Sequence, residues 1–335
     1  PPRLFMAMCD EAAATAETYV PQMLKLQVEN LLLLGDHKQL QPLVLAKNHR
    51  EPEEKQVSRS LMERMLDARL AAGYEAPMLK RQYRMFESLC AIVSGLFYQG
   101  QLTTAPEKLT RDSSDSTFTD ARRRLRWFDT SHAWEVAVGT SYANAVDAAA
   151  IRELLQTDPV LSATLERVRV VTLYKTQQQL LQKTCADIVQ RRPNVEFLTV
   201  DACQGTEAPH IVLSTVRSQR GKIGFASNPR RLNVAISRAI KSLTIVGSAN
   251  ALGGDKNWAK VHSGFKDMGE VSHIDLEVLK GSAAAGWAAA ERECEKIAAA
   301  RQSKAPQPRA SERRDGYGGH GGYGSDGGYG GHGGY

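Results

Sequence analysis

The sequence predicts an α/β fold. Short apolar runs alternate with stretches of helical periodicity, the runs are apolar at nearly every position, and polar or glycine-containing turns close them. Continuous apolarity marks strands covered on both faces, as in parallel sheets. Candidate strands are Leu4–Cys9, Leu31–Leu34, Val168–Thr172, Glu196–Val200, His210–Thr215 and Leu243–Val246. Candidate helices are Ser58–Leu70, Glu87–Phe97, Ala145–Gln156, Gln177–Gln190, Leu232–Ile240 and Ala283–Ala300.

The chain has 335 residues, 42% hydrophobic and 24% charged, which is enough for two ordinary domains with a sizeable core. A net charge of +6 favours a polyanionic partner, although a basic protein without one is equally compatible with that number. The five cysteines are odd in number and widely spaced, so they give neither a disulfide framework nor a zinc pattern. Buried free thiols in a reducing compartment are expected, the cytoplasm before the nucleus. No apolar run approaches the ~20 residues that cross a bilayer, so no membrane partner is expected.

Segment 103–126 interrupts the strand–helix rhythm with Thr-Arg-Asp-Ser-Ser-Asp-Ser-Thr and the triplet Arg122-Arg123-Arg124, and reads as a polar surface insertion. Its arginines suit either a solvated charge run or a phosphate contact. From Gly316 a six-residue unit repeats, with Tyr317, Tyr323, Tyr329 and Tyr335 at fixed spacing. So glycine-rich a tract cannot offset its backbone entropy, and a disordered tail over 303–335 is expected. Its tyrosines suit stacking on unpaired bases, or no specific partner at all.

Two strings carry chemistry. Met8-Cys9-Asp10-Glu11-Ala12-Ala13 places two carboxylates at the end of an apolar strand, where α/β sheets hold ligands. There one carboxylate can hold Mg²⁺ and the next can deprotonate water, although an Asp-Glu pair also suits a plain helix N-terminus. Leu34-Gly35-Asp36-His37-Lys38-Gln39-Leu40-Gln41-Pro42 is more specific. Gln39 is neutral and bifunctional, able to donate to a phosphate oxygen and to accept from water.

About 25 residues separate these strings, and together they resemble the up-frameshift and senataxin-like group of superfamily 1 helicases. The later motifs follow in order. Leu79-Lys80-Arg81-Gln82-Tyr83-Arg84-Met85 resembles motif IV, and Val138-Gly139-Thr140-Ser141-Tyr142-Ala143-Asn144 resembles the stretch before a second-domain helix. Val200-Asp201-Ala202-Cys203-Gln204-Gly205-Thr206-Glu207 resembles motif V, and Gly224 to Ala239 resembles motif VI. The resemblance covers roughly residues 1–270. It implies ATP hydrolysis with Mg²⁺ between two RecA-like parallel-sheet domains, a partial first over 1–76 and a complete second over 77–282, followed by a C-terminal helix over 283–302.

The resemblance also implies roles. Asp10 holds Mg²⁺ through water, Glu11 is the catalytic base, and Gln39 senses the γ-phosphate. Arg84 and Arg238 are arginine fingers, whose charge answers charge spreading in the transition state. Tyr83 stacks on adenine, Glu207 accepts from the ribose, and Gly205 lies in the same nucleotide-binding string. Pro42, Thr140, Ser141, Thr199 and Gln204 are candidates for single-stranded RNA or DNA, RNA before DNA. RNA-processing or decay proteins are implied partners, and the motor is expected to work as a monomer. Arg230 and Arg231 are expected either near the nucleotide or as ion-pair anchors.

Phe86-Glu87 stands where the group has His-Pro, Leu173 replaces a proline, and Thr206 replaces an arginine. None removes an implied catalytic group. The string Gly-x-x-x-x-Gly-Lys-[Ser/Thr] does not occur, so the sequence reads as part of a longer parent. The alternative expectation is a non-enzymatic binding module, which would have no physical need for Asp10, Glu11, Gln39, Arg84 and Arg238 together.

Overall fold

The computed structural model describes residues 4–19, 25, 27–43, 58–75, 77–221, 223–282 and 284–302. The Gly/Tyr tract lies outside the described residues.

Strands β1 (Met6–Cys9) and β2 (Asn30–Leu33) pair in parallel, with Met6 opposite Asn30. The expected coverage of both faces is not met among the described residues: Phe5 is 70% and Met8 69% exposed. Helix α1 (Leu61–Ala71) follows, and Ser60 caps it by accepting from Glu63 N at 3.1 Å.

The larger sheet is built after β3 (Arg81–Gln82), α2 (Glu87–Phe97), β4 (Thr103–Thr104) and α3 (Pro106–Ser113). Its members are β5 (Leu125–Asp129), then, beyond the hairpin β6 (Val136–Val138) and β7 (Ser141–Ala143), β8 (Val168–Thr172), β9 (Val195–Thr199), β10 (Ala208–Ser214), β11 (Ala239–Gly247) and β12 (Glu270–His273). The order is β12-β5-β11-β10-β8-β9, and every pairing is parallel. The α/β expectation holds.

Side chains alternate between two cores, as the strand period demands. Leu125, Trp127, Ile211, Leu213, Leu243 and Ile245 pack on one face, with α2, α7 (Pro229–Ile236) and α9 (Lys256–Met268). Val168, Val170, Val212 and Val246 pack on the other, with α4 (Ala145–Thr157), α5 (Lys175–Thr184) and α11 (Ala284–Gln302). Trp127 meets Trp258 and Phe265 edge-on at 6.1 and 5.8 Å, and its Nε1 donates to Gly247 O at 2.9 Å.

Several expectations shift. The 103–126 segment is exposed along much of its length, but Arg122 and Arg124 are tied into the fold. Arg124 is buried over Phe118, 4.6 Å from its centroid, and donates to Asp112 O at 2.9 Å. Arg122 donates to Gly269 O. These arginines serve packing because the segment feeds directly into β5. That strand escaped the sequence pattern because Arg126 breaks its apolarity just after the triplet Arg122-Arg123-Arg124; Arg126 is in fact buried and paired with Asp158. The helix expected over Leu232–Ile240 ends at Ile236, where β11 soon begins, so Arg238 sits in the link and not on a helix. The helix expected over Gln177–Gln190 breaks at Cys185 into α5 and α6 (Ala186–Arg191).

Under the C-terminal end of β10 lies a buried polar knot. Asp147 is fully buried and accepts from Thr130 Oγ1 at 2.9 Å, Ser214 Oγ at 3.0 Å and Val216 N at 3.0 Å. Burial pushes its carboxyl up to about 6, against the three hydrogen bonds that pull it down. A raised acid binds its proton more tightly folded than unfolded, so its contribution is full below about pH 4 and is lost as pH rises to about 6. The span corresponds to about 3 kcal/mol. Urea unfolding of wild type and Asp147→Asn across pH 3.5–7 should isolate this component as a difference that changes within that window. A difference flat with pH would show that Asp147 does not hold a proton there.

Candidate nucleotide cleft

Glycine at 35 brings the two acidic strings together. A Cβ there would fall 2.9 Å from both Ala12 N and Ala13 N, so only a glycine lets the end of β2 lie against the turn after β1. Ala12 N donates to Leu34 O at 2.8 Å across this contact. Glu11 is held in the left-handed region, φ 50°, a strained conformation for a side-chain-bearing residue. Its amide donates to Asp10 Oδ1 at 2.9 Å. Both carboxylates are exposed at the open end of the small sheet.

Gln39 Nε2 donates to Asp36 Oδ2 at 2.8 Å, which turns its carbonyl oxygen outward. Arg238 donates to that oxygen from the other side of the cleft. Arg238 is 2% exposed, and its remaining partners are the carbonyls of Val234 at 3.3 Å and Thr206 at 3.4 Å. Among the described residues no carboxylate forms an ion pair with it. Burial first, and Arg84 second, lower its pKa, while Glu11 opposes them. A buried cation beside a second cation, facing a neutral amide, is a site that fits an incoming anion. The terminal phosphates of ATP fit that demand, and Asp10 and Glu11 lie on the facing turn. Among the described residues no three metal-ligating side chains converge. A Mg²⁺ ion at Asp10 would therefore complete its shell with phosphate and water.

Other assigned residues fall differently. Arg84 is paired with Glu207, at 35% and 48% side-chain exposure, so the two residues implied for separate nucleotide contacts engage each other. Its Nη1 also donates to Ser237 O at 3.4 Å. Tyr83 is 55% exposed beside it, open to a stacking partner. Gly205 adopts φ 72° in the turn after β9, and a Cβ there would sit 4.0 Å from Glu11 Oε1. Gln204, assigned to nucleic acid, donates instead to Glu11 Oε2 at 3.2 Å, because the Gly205 turn aims it into the cleft.

Pro42 is buried and does not present a surface to a strand. Thr140 is exposed at the β6–β7 tip, where Gly139 takes φ 62°. Ser141 Oγ accepts from Thr176 N at 3.1 Å and so helps start α5. Thr199 is half-buried at the end of β9. Arg230 and Arg231 act as anchors: Arg230 reaches Glu63 on α1 at 2.5 Å, and Arg231 reaches Asp201 at 3.1 Å.

Sequence reading missed Tyr98 and Asn233. Tyr98 hydroxyl donates to Asp36 Oδ2, and Asn233 Nδ2 donates to Tyr98 Oη at 2.8 Å and to Lys38 O at 3.0 Å. Burial, then the Asp36 charge, pushes the phenol well above the ordinary tyrosine value. The result is a chain of hydrogen bonds, Asn233–Tyr98–Asp36–Gln39–Arg238, crossing the cleft. The only sequence signal was an aromatic at the end of α2, which looks like packing.

Tyr98→Phe removes one hydroxyl and keeps the ring. A hydrogen bond to a charged group contributes roughly 1.5–3 kcal/mol. Urea unfolding should register a loss of that size, and a double-mutant cycle with Asp36→Asn should show coupling of at least about 1 kcal/mol. Additive effects in the cycle would mean that the hydroxyl does not act through Asp36.

A family model described as an AAA domain matches residues 57–250. The chain is 32% identical over 268 residues to a regulator of nonsense transcripts 1 homolog of Neurospora crassa, covering 78% of this chain and 24% of that protein. It is 31% identical over 282 residues to an ATP-dependent helicase of Schizosaccharomyces pombe, covering 82% and 30%. It is 29% identical over 240 residues to a 5'-3' DNA helicase of Mus musculus, covering 71% and 12%. The chain thus spans between 12% and 30% of the length of these relatives. With the motif order and the cleft geometry, these matches give the conclusion that the chain belongs to the AAA domain family, in its up-frameshift-like group of superfamily 1 helicases.

Proposed function

We propose that the protein carrying this chain is an ATP-driven helicase or translocase on single-stranded nucleic acid, acting on RNA before DNA. The observation that supports this best is Arg238: a buried guanidinium without a carboxylate partner among the described residues, pointed across a cleft at Gln39 and Glu11. The two parallel sheets are read as parts of two RecA-like halves. Mg²⁺-ATP, when bound, supplies the phosphoanhydride whose hydrolysis drives the cycle.

The residues of this chain do the rest. Asp10 would hold the metal, which would neutralise phosphate charge there, and Glu11 takes the proton of the attacking water. Gln39 reads the terminal phosphate, and Arg84 and Arg238 neutralise charge as it spreads. Arg84 must leave Glu207 to do so. Tyr83 offers its ring to the base. Because Gln39 and Arg238 belong to opposite sides of the cleft, hydrolysis follows closure, and alternating closure moves the strand. Among the relatives, some are named for nonsense transcripts and one as a DNA helicase; the Gly/Tyr tract and the group lean toward RNA. RNA-processing or decay proteins in the cytoplasm are the proposed company of this motor.

In the full natural protein that contains this chain, Arg238→Ala should lower strand-stimulated ATP turnover by roughly 10³-fold. ATP affinity should fall far less, since the guanidinium answers transition-state charge. Arg238→Lys should rescue poorly, because a point charge lacks the planar fork. Single-turnover hydrolysis and strand binding, measured side by side, decide it. Normal hydrolysis with lost strand binding would make Arg238 a nucleic-acid contact and sink this reading of the cleft.

A further inference from the structure

The loop after β10 carries a second cluster that the nucleotide cleft does not use. Ser218 N and Gln219 N both donate to Glu135 Oε2, at 2.6 and 3.4 Å. Arg217 Nε donates to the same oxygen at 3.1 Å, and its Nη2 lies 2.8 Å from Oε1. The guanidinium lies 3.9 Å from the centroid of Tyr142. The side chains of Arg217 and Glu135 are 5% and 3% exposed. A cavity of about 380 Å³ opens beside them, lined by Glu135, Ala137, Tyr142, Arg217, Gln219 and Gly224.

Two successive backbone amides and a forked guanidinium form a donor set for an oxyanion with two free oxygens. A carboxylate satisfies it. So does a phosphodiester, which offers two non-bridging oxygens.

Beneath the cradle lies a buried scaffold separate from the carboxylate that fills it. Val216 takes φ 69°, a left-handed conformation that a β-branched residue adopts only under constraint. Asp147 Oδ2 accepts from its amide at 3.0 Å, and Asn144 Nδ2 donates to its carbonyl at 3.0 Å. Gln177 accepts from Asn144 N at 2.8 Å and donates to Asn144 O at 3.1 Å, which fixes the asparagine in turn. This buried scaffold aims the amides of Ser218 and Gln219. Glu135 is not among these scaffold contacts and arrives on a separate element, just ahead of the three-residue strand β6.

The setting favours a polyanion. Arg220, one residue beyond the cradle, is exposed. The hairpin that Glu135 leads into carries exposed Thr140 at its tip and Ser141 on its return strand, both residues implied for strand contact. We propose that Arg217, Ser218 and Gln219 form a backbone-phosphate site for single-stranded nucleic acid, which Glu135 occupies as an internal carboxylate until a strand displaces it. This rests on the strand-binding reading above. Displacement frees Glu135 and with it the start of the hairpin, so strand entry and the position of Thr140 become linked.

The test uses this chain and a fluorescent oligouridine, followed by anisotropy at low salt. Glu135→Gln should bind about tenfold tighter than wild type, the scale of one charge-assisted contact released to the strand. Arg217→Ala should bind more weakly, and the double variant should lose the gain. Glu107→Gln, at an exposed site on α3, controls for the loss of one negative charge. A Glu135→Gln affinity no higher than that of Glu107→Gln overturns the proposal. Failure of wild type to bind oligouridine counts against the strand-binding reading instead, and the Glu135→Gln comparison still decides the site. A measurement on wild type covers the case in which the variant does not fold: the amide resonances of Ser218 and Gln219 should move as oligouridine saturates the ¹⁵N-labelled chain. Resonances that stay fixed at saturation overturn the proposal independently.

Discussion

Arg238 carries its charge into the protein without a carboxylate to balance it among the described residues, and much of the surrounding arrangement answers that demand. The guanidinium leaves the link between α7 and β11, is fixed by two carbonyls, and ends on the neutral oxygen of Gln39. A lone buried cation is costly, and a neutral amide repays only part of the lost hydration. A site held in that condition has a standing preference for an anion, and the anion must enter between the two sheets. Orientation comes from the hydrogen-bond chain through Asp36 and Tyr98. Without it the Gln39 amide is free to flip and present a donor to another donor. Closure of the cleft and readiness for charge are therefore set by the same few bonds.

Glycine and backbone strain place these groups where side-chain packing alone would not. Gly35 lets the turn after β1 touch the end of β2, and Glu11 sits in a left-handed conformation on that turn. Strain persists only where neighbours over-determine it. At Glu11 those neighbours are the Leu34 carbonyl and the Asp10 carboxylate; at Val216 they are Asp147 and Asn144. Both residues stand where this chain presents groups suited to phosphate, while Gln27 and Gln99 take the same left-handed region elsewhere.

Much of this was legible in the sequence, for reasons that differ by element. Strands β1, β2, β8 and β10 were found within two residues; β11 was found only from Leu243, because Lys241 and Ser242 break the apolar pattern of its first half. Strand β5 was not found, because its buried Arg126 pairs with Asp158 and the Arg124 just before it stacks on Phe118, contacts that a local pattern cannot register. Glu11, Gln39 and Arg238 were named from ordered strings, and the fold brings them to one cleft. Tyr98 and Asn233 were missed because a tyrosine at a helix end and an asparagine inside a helix carry no signal until the partner across the cleft is known. Gln204 was assigned to the strand and faces Glu11 instead, since one left-handed glycine decides which way that turn points.

Arg84 and Arg217 both rest on carboxylates of this chain, and the contrast between them bears on how each is released. Arg84 and Glu207 are both a third to a half exposed. Water competes for each partner, so such a pair holds weakly, and exchange for a stronger anion needs only side-chain rotation. Arg217 and Glu135 are nearly sealed. There the desolvation of each charge is already complete, and removing one partner alone leaves the other stranded. Exchange at that site requires a replacement anion and a moving element together, and the short β6–β7 hairpin is the element attached to the carboxylate. The exposed pair therefore suits a contact remade in every nucleotide cycle, and the sealed pair suits one remade only when a strand arrives.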